Sequence, residues 1–123
     1  MIKNSLTLIF ILFYFFSYSQ KTIQKGLESD ILETTRDIKI YIPQGYEKDS
    51  IKNYPLAIVL DEDYMFDLYV GNAVLFSKKD KAPKQIVVGI SMEDTKGNDI
   101  SFDRNSGKLT GSAKNFYEFI RDE

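Results

Sequence analysis

Two short apolar runs constrain this chain more than any other feature. Leu56-Ala57-Ile58-Val59-Leu60 and Gln85-Ile86-Val87-Val88-Gly89-Ile90 set hydrophobic residues side by side without alternation. A strand with one face in water alternates apolar with polar residues. An unbroken run needs cover on both faces, as strands of parallel and mixed sheets have. Residues 64–79 between the runs have about the length of a crossover helix. Met65, Leu68, Tyr69, Asn72, Ala73 and Phe76 recur there at helical spacing, and Phe66, Val70 and Val74 form a second stripe, so this helix is expected to be well buried. Strand, helix, strand in that order joins parallel neighbours.

Upstream, residues 36–42 alternate: Ile38, Ile40 and Ile42 point one way, Asp37, Lys39 and Tyr41 the other, and Pro43 ends the run. This pattern predicts a half-buried strand. Residues 24–32 are the candidate antiparallel partner, joined through Glu33-Thr34-Thr35. Residues 45–54 are polar and loop-like. After Ile90, residues 91–111 carry few large apolar side chains and three glycines, Gly97, Gly107 and Gly111, which reads as one long loop. Ser112 is then placed to cap a helix with Ala113, Phe116, Tyr117 and Ile120 on its apolar face. That helix meets two acids, Asp122 and Glu123, at its negative end, and no strand follows it. The expected class is α/β: an N-terminal antiparallel strand pair followed by βαβ units of a mostly parallel sheet, cut off before the sheet is finished.

The first nineteen residues read as an address rather than as part of this domain. Lys3 supplies a positive n-region, residues 6–16 are an apolar run broken only by Thr7 and Tyr14, and Ser17 and Ser19 offer the small residues of a cleavage site before Gln20. The run is too short to cross a hydrocarbon core of about 30 Å as a helix. Residues 1–19 are therefore expected to be a signal peptide and residues 20–123 the domain, exported to the periplasm or outside the cell. No cysteine stands at the cleavage point for a lipid, so no stable membrane anchor is expected after cleavage.

Composition removes whole classes of chemistry from the 123 residues. With no histidine and no cysteine, the chain holds no Ser-His-Asp or Cys-His arrangement, no disulfide and no ordinary zinc site. A Ser-x-x-Lys dyad is absent as well. Sixteen cationic against eighteen acidic residues, a formal charge of −2, leave no basic footprint for nucleic acid. No GxGxxG or Walker A motif occurs. Gly107-Lys108-Leu109-Thr110-Gly111-Ser112 has only a loose likeness to a phosphate cradle at a helix start and reads as a flexible loop.

The strongest functional position is Asp61-Glu62-Asp63, directly after the first buried run, because ligands bind at the carboxyl ends of strands in open α/β sheets. Three carboxylates can hold calcium or magnesium, yet the EF-hand spacing fails at Met65, and acids at a helix N-terminus ordinarily serve the dipole. No metal or cofactor is expected. Tyr41, Tyr46 and Tyr54 can either stack on a sugar ring or pack at strand ends.

Four segments, taken together and in order, resemble one family. They are Ile40-Tyr41-Ile42-Pro43-Gln44-Gly45-Tyr46, Tyr54-Pro55-Leu56-Ala57-Ile58-Val59-Leu60-Asp61, Gln85-Ile86-Val87-Val88-Gly89-Ile90 and Phe116-Tyr117-Glu118-Phe119-Ile120. The sequence resembles the N-terminal part of secreted esterases of the α/β-hydrolase superfamily, the esterase D-like and siderophore-esterase-like group. The resemblance implies a serine ester hydrolase acting on a small-molecule or glycan-linked ester. Its nucleophile elbow, acid and histidine would lie beyond residue 123, so this chain alone would be inactive and contain no catalytic residue. It also implies that backbone N–H groups of Asp63 and Glu62 belong to an oxyanion hole. The family has glycine where this chain has Glu62, a departure that bears on the turn. The alternative reading is a non-catalytic secreted binding module or a degenerate relic of an esterase.

Overall fold

The computed structural model describes residues 21–46 and 51–123. The expected signal peptide, with its cleavage point before Gln20, lies outside the described residues. Four strands form one mixed sheet: β1 (Lys21–Ser29), β2 (Thr34–Ile42), β3 (Leu56–Leu60) and β4 (Ile86–Ile90), in the order β1-β2-β4-β3. Helix α1 (Glu62–Lys78) crosses from β3 to β4, the single turn α2 (Lys96–Asp99) follows β4, and α3 (Gly111–Asp122) comes last among the helices. β1 pairs antiparallel with β2, β2 antiparallel with β4, and β3 parallel with β4. The expected α/β class, with its N-terminal antiparallel pair and its βαβ unit, is what forms. The first strand lies three residues earlier than expected, with the turn at 30–33.

Register decides which side chains each layer receives. Opposite Ile38 of β2 stands Ile90 of β4, and Val88 stands opposite Ile40. Ile38, Ile90 and Met92 pack with Phe116 and Phe119 of α3 on one side of the sheet. Tyr41, Val59 and Val87 pack with Phe66 and Val70 of α1 on the other. Both faces of β2 are therefore used, where its alternation predicted one. Fully burying a side chain such as that of Phe66 or Phe116 is worth about 2–3 kcal/mol, so these two clusters dominate the stability of the layers.

The buried stripe of α1 is Phe66, Val70 and Ala73. Of the stripe read first from the sequence, Met65, Leu68, Tyr69 and Phe76 are exposed. Gly89 explains the choice: a Cβ there would meet Phe66 Cδ2 at 2.6 Å and Glu62 Cβ at 3.0 Å. The Phe66 face fits the groove that a glycine leaves in β4.

β3 departs from expectation in the same way. Val59 is buried under α1, but Leu56, Ile58 and Leu60, which point to the opposite face, are exposed, Leu56 at 61%. Among the described residues, α3 covers β2 and β4 and does not extend cover to β3, which stands last in the sheet order.

The segment after β4 is bonded rather than free. It contains α2 and an antiparallel bridge between Phe102 and Leu109, closed by Gly107 at φ 67°. The cap of α3 is Thr110, not Ser112. The Thr110 hydroxyl pairs with that of Ser101 instead of with the helix, so a bonded pair replaces the expected cap. The two acids at the end of α3 find partners too: Asp122 takes bonds from Arg121, and Glu123 accepts the N–H groups of Asp30 and Ile31 at 3.1 and 3.3 Å, tying α3 to the β1–β2 turn.

Gly89→Ala should lower the stability of the chain by about 1–3 kcal/mol, the usual cost of overpacking. Urea unfolding followed by far-ultraviolet circular dichroism measures it. An unchanged midpoint would mean that α1 does not rest against β4 as described.

Candidate functional site

The turn between β3 and α1 is built around Asp61, whose backbone is left-handed at φ 63°, ψ 53°. Most residues resist this conformation by about 1–2 kcal/mol, and aspartate is among the few that adopt it. The positive φ falls on Asp61 and not on Glu62, which is already the first helical residue. Glu62 therefore needs none of the conformational freedom of a glycine. Asp61 O accepts the N–H groups of Tyr64 and Met65, both at 3.1 Å. The amides of Glu62 and Asp63 precede these bonds, at the positive end of a 17-residue helix. First-turn amides have no acceptor within their own helix, and together with the dipole they favour negative charge.

The three consecutive carboxylates separate instead of converging. Asp61 Oδ2 pairs with Lys96 Nζ of α2. Glu62 turns under the helix, is 4% exposed, and places Oε2 3.7 Å from Lys39 Nζ on β2. That spacing is within ion-pair range but too long for a hydrogen bond, and Oε2 is otherwise unpartnered. Asp63 is exposed. Among the described residues, no group of three or more histidine, cysteine, aspartate or glutamate side chains is placed to hold a metal ion. The charges of the first two acids are thus compensated by lysines from two other elements, leaving the amide end of α1 less shadowed by negative charge than the sequence suggests.

A second polar cluster supports the first, and sequence reading missed it. Arg36 on β2 is buried on the α3 side of the sheet. Its Nη2 bonds to Asp99 Oδ1 at 3.0 Å, its Nη1 donates to the Thr95 hydroxyl and to Ser91 O, and its guanidinium stacks 5.4 Å from the Phe116 ring centre. Thr95 in turn donates to Asp99 Oδ2 at 2.6 Å. Such a pair is costly to break from one side, because the orphaned charge stays buried, by about 3–5 kcal/mol. A signal was present: Arg36 shares the parity of Ile38 and Ile40, a cation in line with the apolar face.

Of the tyrosines considered for sugar stacking, Tyr41 is removed by its burial among Val59, Phe66 and Val87, which also raises its phenol above the ordinary value. Tyr46 and Tyr54 pack on each other, ring centres 5.6 Å apart, and Tyr54 OH donates to Gly45 O. The glycine loop at 107–112 makes a turn and a helix start, with Gly107 N–H donating to Asp103 O at 2.7 Å.

The fold has solved counterparts. The chain superposes on an uncharacterised protein from Capnocytophaga ochracea with a TM-score of 0.75 at 25% identity, covering 84% of this chain and 28% of that one. It matches an IroE-like serine hydrolase from Shewanella oneidensis at 0.65 and 28% identity, covering 84% and 36%. A CE1 ferulic acid esterase from Anaeromyces mucronatus matches at 0.52 and 25% identity, covering 85% and 39%. The chain therefore has an esterase-like α/β fold and spans between about a quarter and two fifths of the length of these proteins. No family model and no curated relative matches the sequence.

Burial raises the Glu62 carboxyl above its usual value, Lys39 pulls it back, and Asp63 and Asp37 push it further up. A carboxyl raised on folding contributes stability that is complete below its unfolded value and is lost as pH rises through its folded value. Glu62→Gln, which cannot ionise, should therefore gain on the parent as pH increases from 4 to 7.5 in thermal unfolding. A Gln variant that loses ground over that range would show the Lys39 attraction to outweigh burial.

Proposed function

We propose that this chain is the N-terminal part of an exported serine ester hydrolase, in which residues 1–19 are a cleaved signal peptide and the serine, acid and histidine lie beyond residue 123. The observation that carries the reading is the left-handed turn at Asp61: it ends a parallel strand, opens a long helix amide-first, and does so within a fold shared with a serine hydrolase. In this reading the N–H groups of Glu62 and Asp63 stabilise the oxyanion of the tetrahedral intermediate, the point at which acyl transfer gains most from fixed donors. Both amides belong to a helix N-terminus, so the dipole works in the same direction.

Two further features support it. Leu56, Ile58 and Leu60 expose an apolar sheet face at the last strand, which suits continuation of the sheet by more of the same domain. The length relation to the solved neighbours agrees with a domain of which this is the front portion. The ferulic acid esterase among those neighbours favours a small-molecule or glycan-linked ester as substrate. The formal charge of −2 gives no reason to invoke nucleic acid. Residues 20–123 then contribute the oxyanion turn and a flank of the cleft but no member of the triad.

The test begins with the gene downstream of codon 123. A frame encoding G-x-S-x-G and a later histidine is expected. The protein translated through it should hydrolyse p-nitrophenyl acetate and react with a fluorophosphonate at the elbow serine, while the 123-residue chain should do neither. Hydrolysis that survives replacement of that serine overturns the proposal, as does a stop codon with no such remnant downstream.

A further inference from the structure

We propose that Lys96 is a positioning residue for the turn that opens α1, delivered to it by the buried pair of Arg36 and Asp99. Lys96 and Asp99 stand three apart on the single turn α2, and residues at that spacing share one helix face. From that face Asp99 reaches back to the guanidinium of Arg36 on β2, while Lys96 reaches to the carboxylate of Asp61 at the end of β3. The Asp99 end is buried: its carboxylate accepts from Arg36 and Thr95, and Arg36 is held in turn by the Thr95 hydroxyl, Ser91 O and the Phe116 ring. The Lys96 end is half exposed, with its charge on Asp61.

Asp61 is the residue that needs help. It occupies the cap position of α1, yet its side chain makes no capping bond to the helix, and its backbone is in the left-handed region. An aspartate cap ordinarily spends its carboxylate on a first-turn amide. Here Lys96 holds the carboxylate, which leaves those amides uncovered and fixes the direction of the turn. The segment after β4 and the turn after β3 are thereby coupled through one ion pair. The activity arm of the test rests on the hydrolase reading; the structural arm does not.

The test uses the full chain and four variants: Lys96→Met, Lys96→Arg, Asp61→Asn and the double variant Lys96→Met with Asp61→Asn. Amide hydrogen exchange read by NMR should quicken about tenfold at Tyr64 and Met65, whose N–H groups bond to Asp61 O, in Lys96→Met, with the amides of β4 unchanged, as expected of local rather than global opening. Lys96→Arg should restore protection, and the double variant should be no worse than either single one. Uniform acceleration across β4, or additive losses in the double variant, overturns the proposal. If Lys96→Met does not fold, Asp61→Asn against Lys96→Arg gives the same comparison. In the protein translated past codon 123, Lys96→Met should lower kcat about tenfold with KM unchanged, since a displaced donor is felt in the transition state. Failure of ester hydrolysis in every form, with the exchange result intact, would count against the hydrolase reading alone.

Discussion

The distance between α1 and β4 sets the geometry of everything at the carboxyl ends of the strands, and Gly89 sets that distance. With a hydrogen where other residues have Cβ, β4 lets the Phe66 ring and the Glu62 stem lie against its backbone. Phe66 then joins Val87, Val59, Val70 and Tyr41 in the cluster that fixes the rotation of the helix. That rotation sends Glu62 under the helix toward Lys39 and leaves Asp61 at the lip. An apolar contact in the middle of the layer therefore determines where charges sit at its rim.

The rim is arranged by pairing Asp61 and Glu62 each with a cation from a different element. Lys39 comes from β2 and Lys96 from α2, and α2 is itself secured to β2 by Arg36 and Asp99. β2 thus serves the turn twice, from opposite faces: Lys39 on the side of α1 and Arg36 on the side of α3. This works because β2 is an interior strand with cover on both faces, so successive residues can send cations in opposite directions.

How much of this was legible in the sequence follows from the kind of signal each part leaves. The βαβ unit and the antiparallel pair were readable because period and length identify them without reference to anything distant. The buried stripe of α1 was not, since the helix carries two apolar stripes and only Gly89, eleven residues beyond its end, decides between them. Ser112 and Thr110 are both hydroxyl residues at a helix start, and spacing alone cannot rank two caps so close together. Residues 91–111 looked like a free loop because their order comes from polar contacts with a strand 55 or more residues earlier, which leave no periodic trace. Asp61-Glu62-Asp63 was found as a position, but its acids were read as one cluster; the left-handed turn that sends them apart is a property of the backbone.

The bare side of β3 has a consequence for how the molecule behaves in a concentrated solution. An edge strand offers unpaired backbone groups, and natural proteins usually blunt such edges with charges, proline or a bulge. Here Leu56 to Leu60 carries no charge, and Pro55 stands only at its entry. Two copies can pair these edges, which sets Leu56, Ile58 and Leu60 of one beside those of the other on the sheet. That association is second order in protein, so its extent rises with concentration.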